Sequence, residues 1–226
     1  MNYNEYVQKM KDVPYAESLS YRLGYGGMIS RGREWPQLVE GVDDSLSVVK
    51  VPMYHINNNR YVRVLGFTKE AFRGKALITD IIIGKVNNAC IASGSFAGCK
   101  NLKRITIPRV VRIEENAFKD CDNLEDVFFE GSMEEWREIH IVSEKHEMHF
   151  GDYIPGTPVQ KLESDRLIHL TGNDALLTST VHFNCNLDDL IPEGDHIIIH
   201  NLMKETLGRM SVTMEELGDA KQHEIL

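Results

Sequence analysis

The chain lacks any apolar run able to cross a membrane. The roughly 18 uninterrupted apolar residues that a spanning helix needs occur nowhere, and even Ile78 to Ile83 is broken by Thr79 and Asp80. Its N-terminus, MNYNEYVQKMKD, has no apolar core of the signal-peptide kind, so a cytoplasmic protein is expected. Cysteine is scarce, with 4 in 226 residues, which excludes a disulfide framework. Neither the G-x-S-x-G turn of a nucleophile elbow nor a phosphate-cradling Walker loop is present. Gly24-Tyr25-Gly26 starts like a dinucleotide fingerprint, but Ile29 stands where the third glycine belongs, and no cofactor is predicted. Acid is missing over one long stretch. Between Ile81 and Ile113 there is no Asp or Glu, while Lys85, Lys100, Lys103, Arg104, Arg109 and Arg112 form a basic belt.

What is present describes an ordinary folding chain, 42% hydrophobic and 26% charged, long enough for one large or two small domains. The net charge of -9 is unevenly placed, because residues 131–226 carry 7 Lys and Arg against 18 Asp and Glu. An acidic surface disfavours nucleic-acid phosphates and favours basic partners, and its plainer reading is a solvated face that aids solubility.

The strongest pattern is a repeat. Phe72, Phe96 and Phe118 are separated by 24 and 22 residues, and apolar residues follow each at the same offsets. These are Ile78, Ile81, Ile83; then Leu102, Ile105, Ile107; then Leu124, Val127, Phe129. A further apolar residue precedes each anchor, at Phe67, Ile91 and Ile113. A fixed period of this length marks a solenoid, in which each rung buries its apolar side against its neighbours. Leu46, Val49, Val51 and Pro52 repeat the spacing of Leu102, Ile105, Ile107 and Pro108, which adds a degraded fourth copy.

Within a rung, Arg104-Ile105-Thr106-Ile107 alternates strictly, so a strand here sends Ile105 and Ile107 inward and Arg104 and Thr106 outward. Parallel stacking then lines up Asp80, Arg104 and Asp126 in one outward row and Ile82, Thr106 and Phe128 in the next, with Lys103 beside Glu125. On this reading Ile105→Asp unfolds the array, whereas Arg104→Ala costs well under about 1 kcal/mol as an exposed ion pair. Cys99 and Cys121 share a repeat position and read as a buried, reduced thiol ladder.

Flanking segments are predicted as follows. Residues 2–11 form an amphipathic helix, and a second helix opens near Pro14 with Ala16, Leu19 and Leu23 on one face. Leu167–Leu170 and Thr178–Phe183 read as strands, and the isoleucine triplet of His196–His200 favours a strand as well. Residues 202–210 are helical, and Thr213 starts another short helix. His146 and His149, near His140, and the pair His196 and His200 are weak metal candidates, because the H-E-x-x-H spacing of a zinc protease is absent.

The wording Ser95-Phe96-Ala97-Gly98-Cys99-Lys100-Asn101-Leu102-Lys103-Arg104-Ile105-Thr106-Ile107-Pro108, followed by Val111-Arg112-Ile113-Glu114-Glu115-Asn116-Ala117-Phe118-Lys119-Asp120-Cys121, resembles the BspA-like leucine-rich repeat family. The likeness is strong over 89–131 and fair over 64–88. Ser132 to Trp136 is similar to the family's usual ending, where a capping box opens a short helix whose Met133, Trp136 and Ile139 would cover the open end of the array. The resemblance implies an α/β repeat protein, a short right-handed parallel solenoid of about three to four rungs. A helical N-terminal cap (1–45), the solenoid (46–131) and a Trp-bearing helix with an acidic α+β region (132–226) are its expected parts. It also implies bacterial members that bind proteins or matrix, and it brings no catalytic residues.

The function expected is a non-catalytic protein-binding module. Its candidate contacts lie on the outward sheet face, at Asp80, Ile82, Lys103, Arg104, Thr106, Asp126 and Phe128, unless a terminal segment of the same chain covers Ile82 and Phe128. Two other readings stand beside it: a small intracellular inhibitor, from a mobile element, that blocks a basic site with the acidic third, and a metal-dependent hydrolase using the C-terminal histidines.

Overall fold

In the computed structural model, which describes residues 1–23, 37–84, 89–142, 171–205, 211–215 and 217, the anchor phenylalanines form a continuous spine. Phe67 meets Phe72 and Phe96 edge-on at 5.4 and 5.2 Å between ring centroids, and Phe96 meets Phe118 at 5.3 Å. All four rings are buried. Two sheets close around this spine, because each rung sends one strand to each side.

The strands in chain order are β1 (Ser20–Leu23), β2 (Gln37–Gly41), β3 (Val48–Val51), β4 (Tyr54–Asn57), β5 (Arg60–Phe67), β6 (Asp80–Ile83) and β7 (Ala89–Ile91). They continue with β8 (Arg104–Ile107), β9 (Val110–Glu114), β10 (Asp126–Phe129), β11 (His140–Val142), β12 (Thr180–His182) and β13 (Ser211–Thr213). Sheet I runs β1-β2-β5-β7-β9-β11, with β4 and β13 also paired to β5. Sheet II runs β12-β10-β8-β6-β3 and is parallel throughout. Its register is the one expected: Asp80, Arg104 and Asp126 are opposite one another, and so are Ile81, Ile105 and Val127. The degraded copy takes its place too, since Val49 pairs with Ile81 and Val51 with Ile83.

The array does not stop at residue 131. Beyond it β11 joins β9 and β12 joins β10, both in parallel, so that sheet II has five strands among the described residues. Each corner between the sheets needs a left-handed residue two positions before the anchor, and Glu70, Gly94 and Asn116 have φ of +59°, +64° and +57°. Gly172, at +67°, sits directly over Asn116 and opens the added rung. There Asn173 stands in for a rung backbone. Its Oδ1 accepts from Phe118 N at 3.0 Å, where earlier anchors donate to the main-chain carbonyls of Ser95 and Ala117.

Helix α2 (Met133–Arg137) is capped as expected, with Ser132 and Glu135 exchanging bonds, and Trp136 packs edge-on to Phe129 at 5.1 Å. It lies between β10 and β11 in the chain, so it fills a corner of the array instead of ending it, and Met133 is exposed. The thiol ladder is also in place: Cys99 Sγ donates to the Phe72 carbonyl at 3.0 Å, and Cys121 Sγ to that of Phe96 at 3.1 Å. Burial pushes the Cys99 and Cys90 thiols up to about 11 and Cys185 to about 12, and it raises Cys121 as well. All four are free. A disulfide reagent near neutral pH should therefore modify half-buried Cys90 first and leave Cys99, Cys121 and Cys185 untouched until denaturant is added. Fast labelling of Cys99 in the native protein would show that the rungs open.

Several flanking elements differ from expectation. Helix α1 (Tyr3–Met10) forms, with an Asn2–Glu5 capping box. The segment after Pro14 is a turn leading into β1, because Leu19, Tyr21 and Leu23 also alternate as a strand and β1 gains antiparallel pairing with β2. A short helix α3 (Ala175–Thr178) precedes β12. Helix α4 (His196–Glu205) replaces the strand expected at the isoleucine triplet: Ile199 and Leu202 are buried on one face while Ile197 is exposed. Ser211–Thr213 is a strand on β5, and helical residues follow at Met214 and Glu215, in keeping with a helix start at Thr213. The strand expected at 167–170 lies outside the described residues.

Candidate binding surfaces

The outward face of sheet II, where a partner is expected from the sequence, is covered in large part by the chain itself. Tyr6 of α1 stacks on Phe128 at 4.5 Å, Tyr3 approaches the same ring at 5.6 Å, and His182 stacks on it at 4.8 Å. Tyr6, Met10, Ile82, Phe128, Cys185, Leu187 and Leu190 form one apolar cluster. Helix α1 thus crosses the sheet from β10 to β3. Eight residues at about 1.5 Å rise give roughly 12 Å, close to the roughly 14 Å of three strand spacings.

Lys50 fixes the far end. It occupies the same outward row as Ile82 and Thr106, yet it is 2% exposed, and its Nζ donates to the carbonyls of Lys11 at 2.8 Å, Val13 at 3.0 Å and Met10 at 3.5 Å. An ammonium has three protons, and the C-terminus of a helix offers unpaired carbonyls and a negative dipole end. Burial lowers Lys50 to about 8, with Asp12 and Asp195 pulling upward. Sequence reading passed over Lys50. Its signal was a lysine in an outward row whose other members are Ile82, Thr106 and Phe128.

The predicted contact residues therefore have other roles. Asp80 is 2% exposed and holds Arg104 in a two-point pair, Nε to Oδ1 at 2.5 Å and Nη2 to Oδ2 at 3.0 Å, with Thr79 Oγ1 donating to Oδ2 at 2.7 Å. Thr106 is buried and bridges β6, accepting from Ile83 N at 2.7 Å and donating to Ile83 O at 2.9 Å. Asp126 is buried against His182 Nε2 at 2.8 Å. Ile82 and Phe128 are buried. Lys103 alone of the set is exposed, and its pair with Glu125, at 3.8 Å, is a surface one. Burial under α1 and residues 185–190 thus takes Asp80, Ile82, Thr106, Asp126 and Phe128 out of solvent.

His196 and His200 are exposed on α4, while His146 and His149 lie outside the described residues. Among the described residues no three His, Cys, Asp or Glu side chains come together as a metal would require. No helix of the described residues is long and apolar enough to cross a membrane.

A different surface opens at the β3 end of the array. There β4, β5, β13 and α4 form a small module around Tyr54, Tyr61, Ile198, Leu202 and Val212. A cavity of about 640 Å³ opens between this module and β1. His55 lies flat on Tyr21 at 3.9 Å, and Ala16 N donates to the Lys50 carbonyl at 2.9 Å, which ties the cavity wall to the array. Around it sit large apolar side chains in solvent: Ile56 is 58% and Ile197 66% exposed, with Met203 and Met214 also exposed.

Parallel rungs stacked around an aromatic spine have the form of a repeat scaffold. Residues 66–140 match the BspA type leucine rich repeat region in six copies. No curated protein matches. Among solved structures, the chain is similar to a leucine-rich repeat protein from Bacteroides ovatus ATCC 8483, 18% identical with a TM-score of 0.45, over 59% of this chain and 38% of that one. It is also similar to the T. pallidum Leucine Rich Repeat protein (TpLRR), 15% identical with a TM-score of 0.43, over 57% of this chain and 64% of that one. It spans less than two thirds of either.

Proposed function

We propose that the chain is a non-catalytic protein-binding module whose contact surface is the end formed by the β4–β5 hairpin and α4, with α1 and the C-terminal segments acting as covers for the repeat sheet. The observation that carries this reading is a contrast in burial. The apolar side chains of the repeat face, Ile82 and Phe128, are buried by the chain's own ends, while Ile56 and Ile197 stay in solvent at the β3 end. Exposed apolar side chains gathered on neighbouring elements mark interaction sites more than scattered ones do. The double variant Ile56→Glu/Ile197→Glu, at exposed positions, should melt within a few degrees of the wild type and lose the proteins that wild-type bait retains from its native host. Unchanged retention by this variant, with loss on Leu77→Glu at the exposed rung corner, would move the contact surface to the rungs.

A further inference from the structure

We propose that the cavity between β1, β4, β5 and α4 binds a small organic cation, an alkylammonium group carried on an apolar body. The inference goes beyond protein binding and does not depend on it.

Among the described residues, four tyrosines line the cavity, Tyr15, Tyr21, Tyr54 and Tyr61, and the charged side chains are Glu17 and Asp195, with neither Lys nor Arg. A ring face carries negative electrostatic potential, so several rings around one space favour a cation there over a neutral group of equal shape. One ring of the set already takes an ammonium: Lys50 Nζ lies over Tyr15 at 5.4 Å from its centroid. That ammonium is held by the three carbonyls at the end of α1, and Asp195, whose charge also acts on it, lines the cavity with Glu17. Burial raises Tyr21 to about 12 and raises Tyr15 too, where Asp195 adds to the effect, so both rings present neutral hydroxyls. A volume of about 640 Å³ falls inside the roughly 300–1,000 Å³ usual for small-molecule sites. The apolar part of the wall, with Met53, Ile198 and Ile199, fits an aryl or alkyl body and gives nothing to an anion.

The test uses the full chain and two probes of one shape, 4-hydroxybenzyltrimethylammonium and its uncharged carbon isostere 4-neopentylphenol, titrated while methyl resonances of Met53, Ile198 and Ile199 are followed. The ammonium should shift these methyls saturably, and the isostere should bind about tenfold more weakly. Asp195→Asn, in a partly exposed position, should weaken the ammonium about fivefold and leave the isostere unchanged. Equal affinity of the two probes, indifference to Asp195→Asn, or no methyl shift with either probe would overturn the proposal.

Discussion

Arg104→Ala lowers the stability of the folded chain by about 3 kcal/mol, read as a shift in urea midpoint at constant slope. The arginine side chain is 12% exposed and Asp80 is 2% exposed, so truncation strips a carboxylate beneath α1 of its two-point partner and leaves it the Thr79 hydroxyl. Removing one partner of a buried pair strands the other charge, and that penalty exceeds the value of the pair itself. Two comparisons make the result specific. Lys103→Ala, one residue away in an exposed pair, should cost no more than about 0.5 kcal/mol. Replacing both members, as Asp80→Leu/Arg104→Leu, should recover most of the loss, because a pair of apolar side chains carries no desolvated charge. Equal, small effects of Arg104→Ala and Lys103→Ala would restore the exposed row that the sequence alone suggests.

Ile105→Asp leaves no cooperatively folded protein. Ile105 is fully buried between Ile81 and Val127 at the centre of sheet II. The substitution removes a side chain whose burial contributes about 1.5–3 kcal/mol and places in its stead a carboxyl with no donor nearby, which costs several kcal/mol more whether it stays charged or takes up a proton. Together these approach the roughly 5–15 kcal/mol that a domain of ordinary stability has in total. Rungs contact only their neighbours, so the break also separates β3 and β6 from β10 and β12. Circular dichroism should show lost sheet signal and no cooperative melt. A sharp melt near that of the wild type would mean that Ile105 does not face the spine.

The rungs were legible because two local signals agree. The period-two alternation of Arg104 to Ile107 sets the faces, and the recurring phenylalanines set the stack, so register followed without knowledge of any other part. The covering of sheet II is legible only as an alternative, a terminal segment over Ile82 and Phe128, since which segment covers them depends on where α1 lands, and Tyr6 and Phe128 are more than 100 residues apart in the chain. The trace it left was chemical. Ile82 and Phe128 are apolar in rows that should face water, and Tyr3 and Tyr6 sit at helical spacing in a segment otherwise polar enough to stand alone. Reading the four residues together points to a helix lying on the sheet. The fifth strand was half visible. Thr180–His182 lies within the stretch expected as a strand, Thr178–Phe183, but residues 143–170 separate it from β10 and no phenylalanine directly follows Asn173, which holds the place of Ser95 and Ala117.

Two elements take the opposite form to the one their local pattern suggests. Around Leu19 the apolar residues fit both a helix and a strand, and pairing with β2 decides for the strand. At Ile197–Ile199 β-branched residues argue for a strand by a few tenths of a kcal/mol each, and burial of Ile199 beside Met53 and Ile191 outweighs that preference. Both are cases where packing far along the chain overrides a small local term.

That the chain covers its own repeat sheet is tested most directly by the ring-to-ring nuclear Overhauser effect between Tyr6 and Phe128. Their centroids lie 4.5 Å apart with planes at 23°, so a strong cross-peak and ring-current-shifted Tyr6 resonances are expected. Tyr6 signals at free-peptide positions, with no cross-peak to Phe128, would contradict the account and return the face of sheet II to solvent.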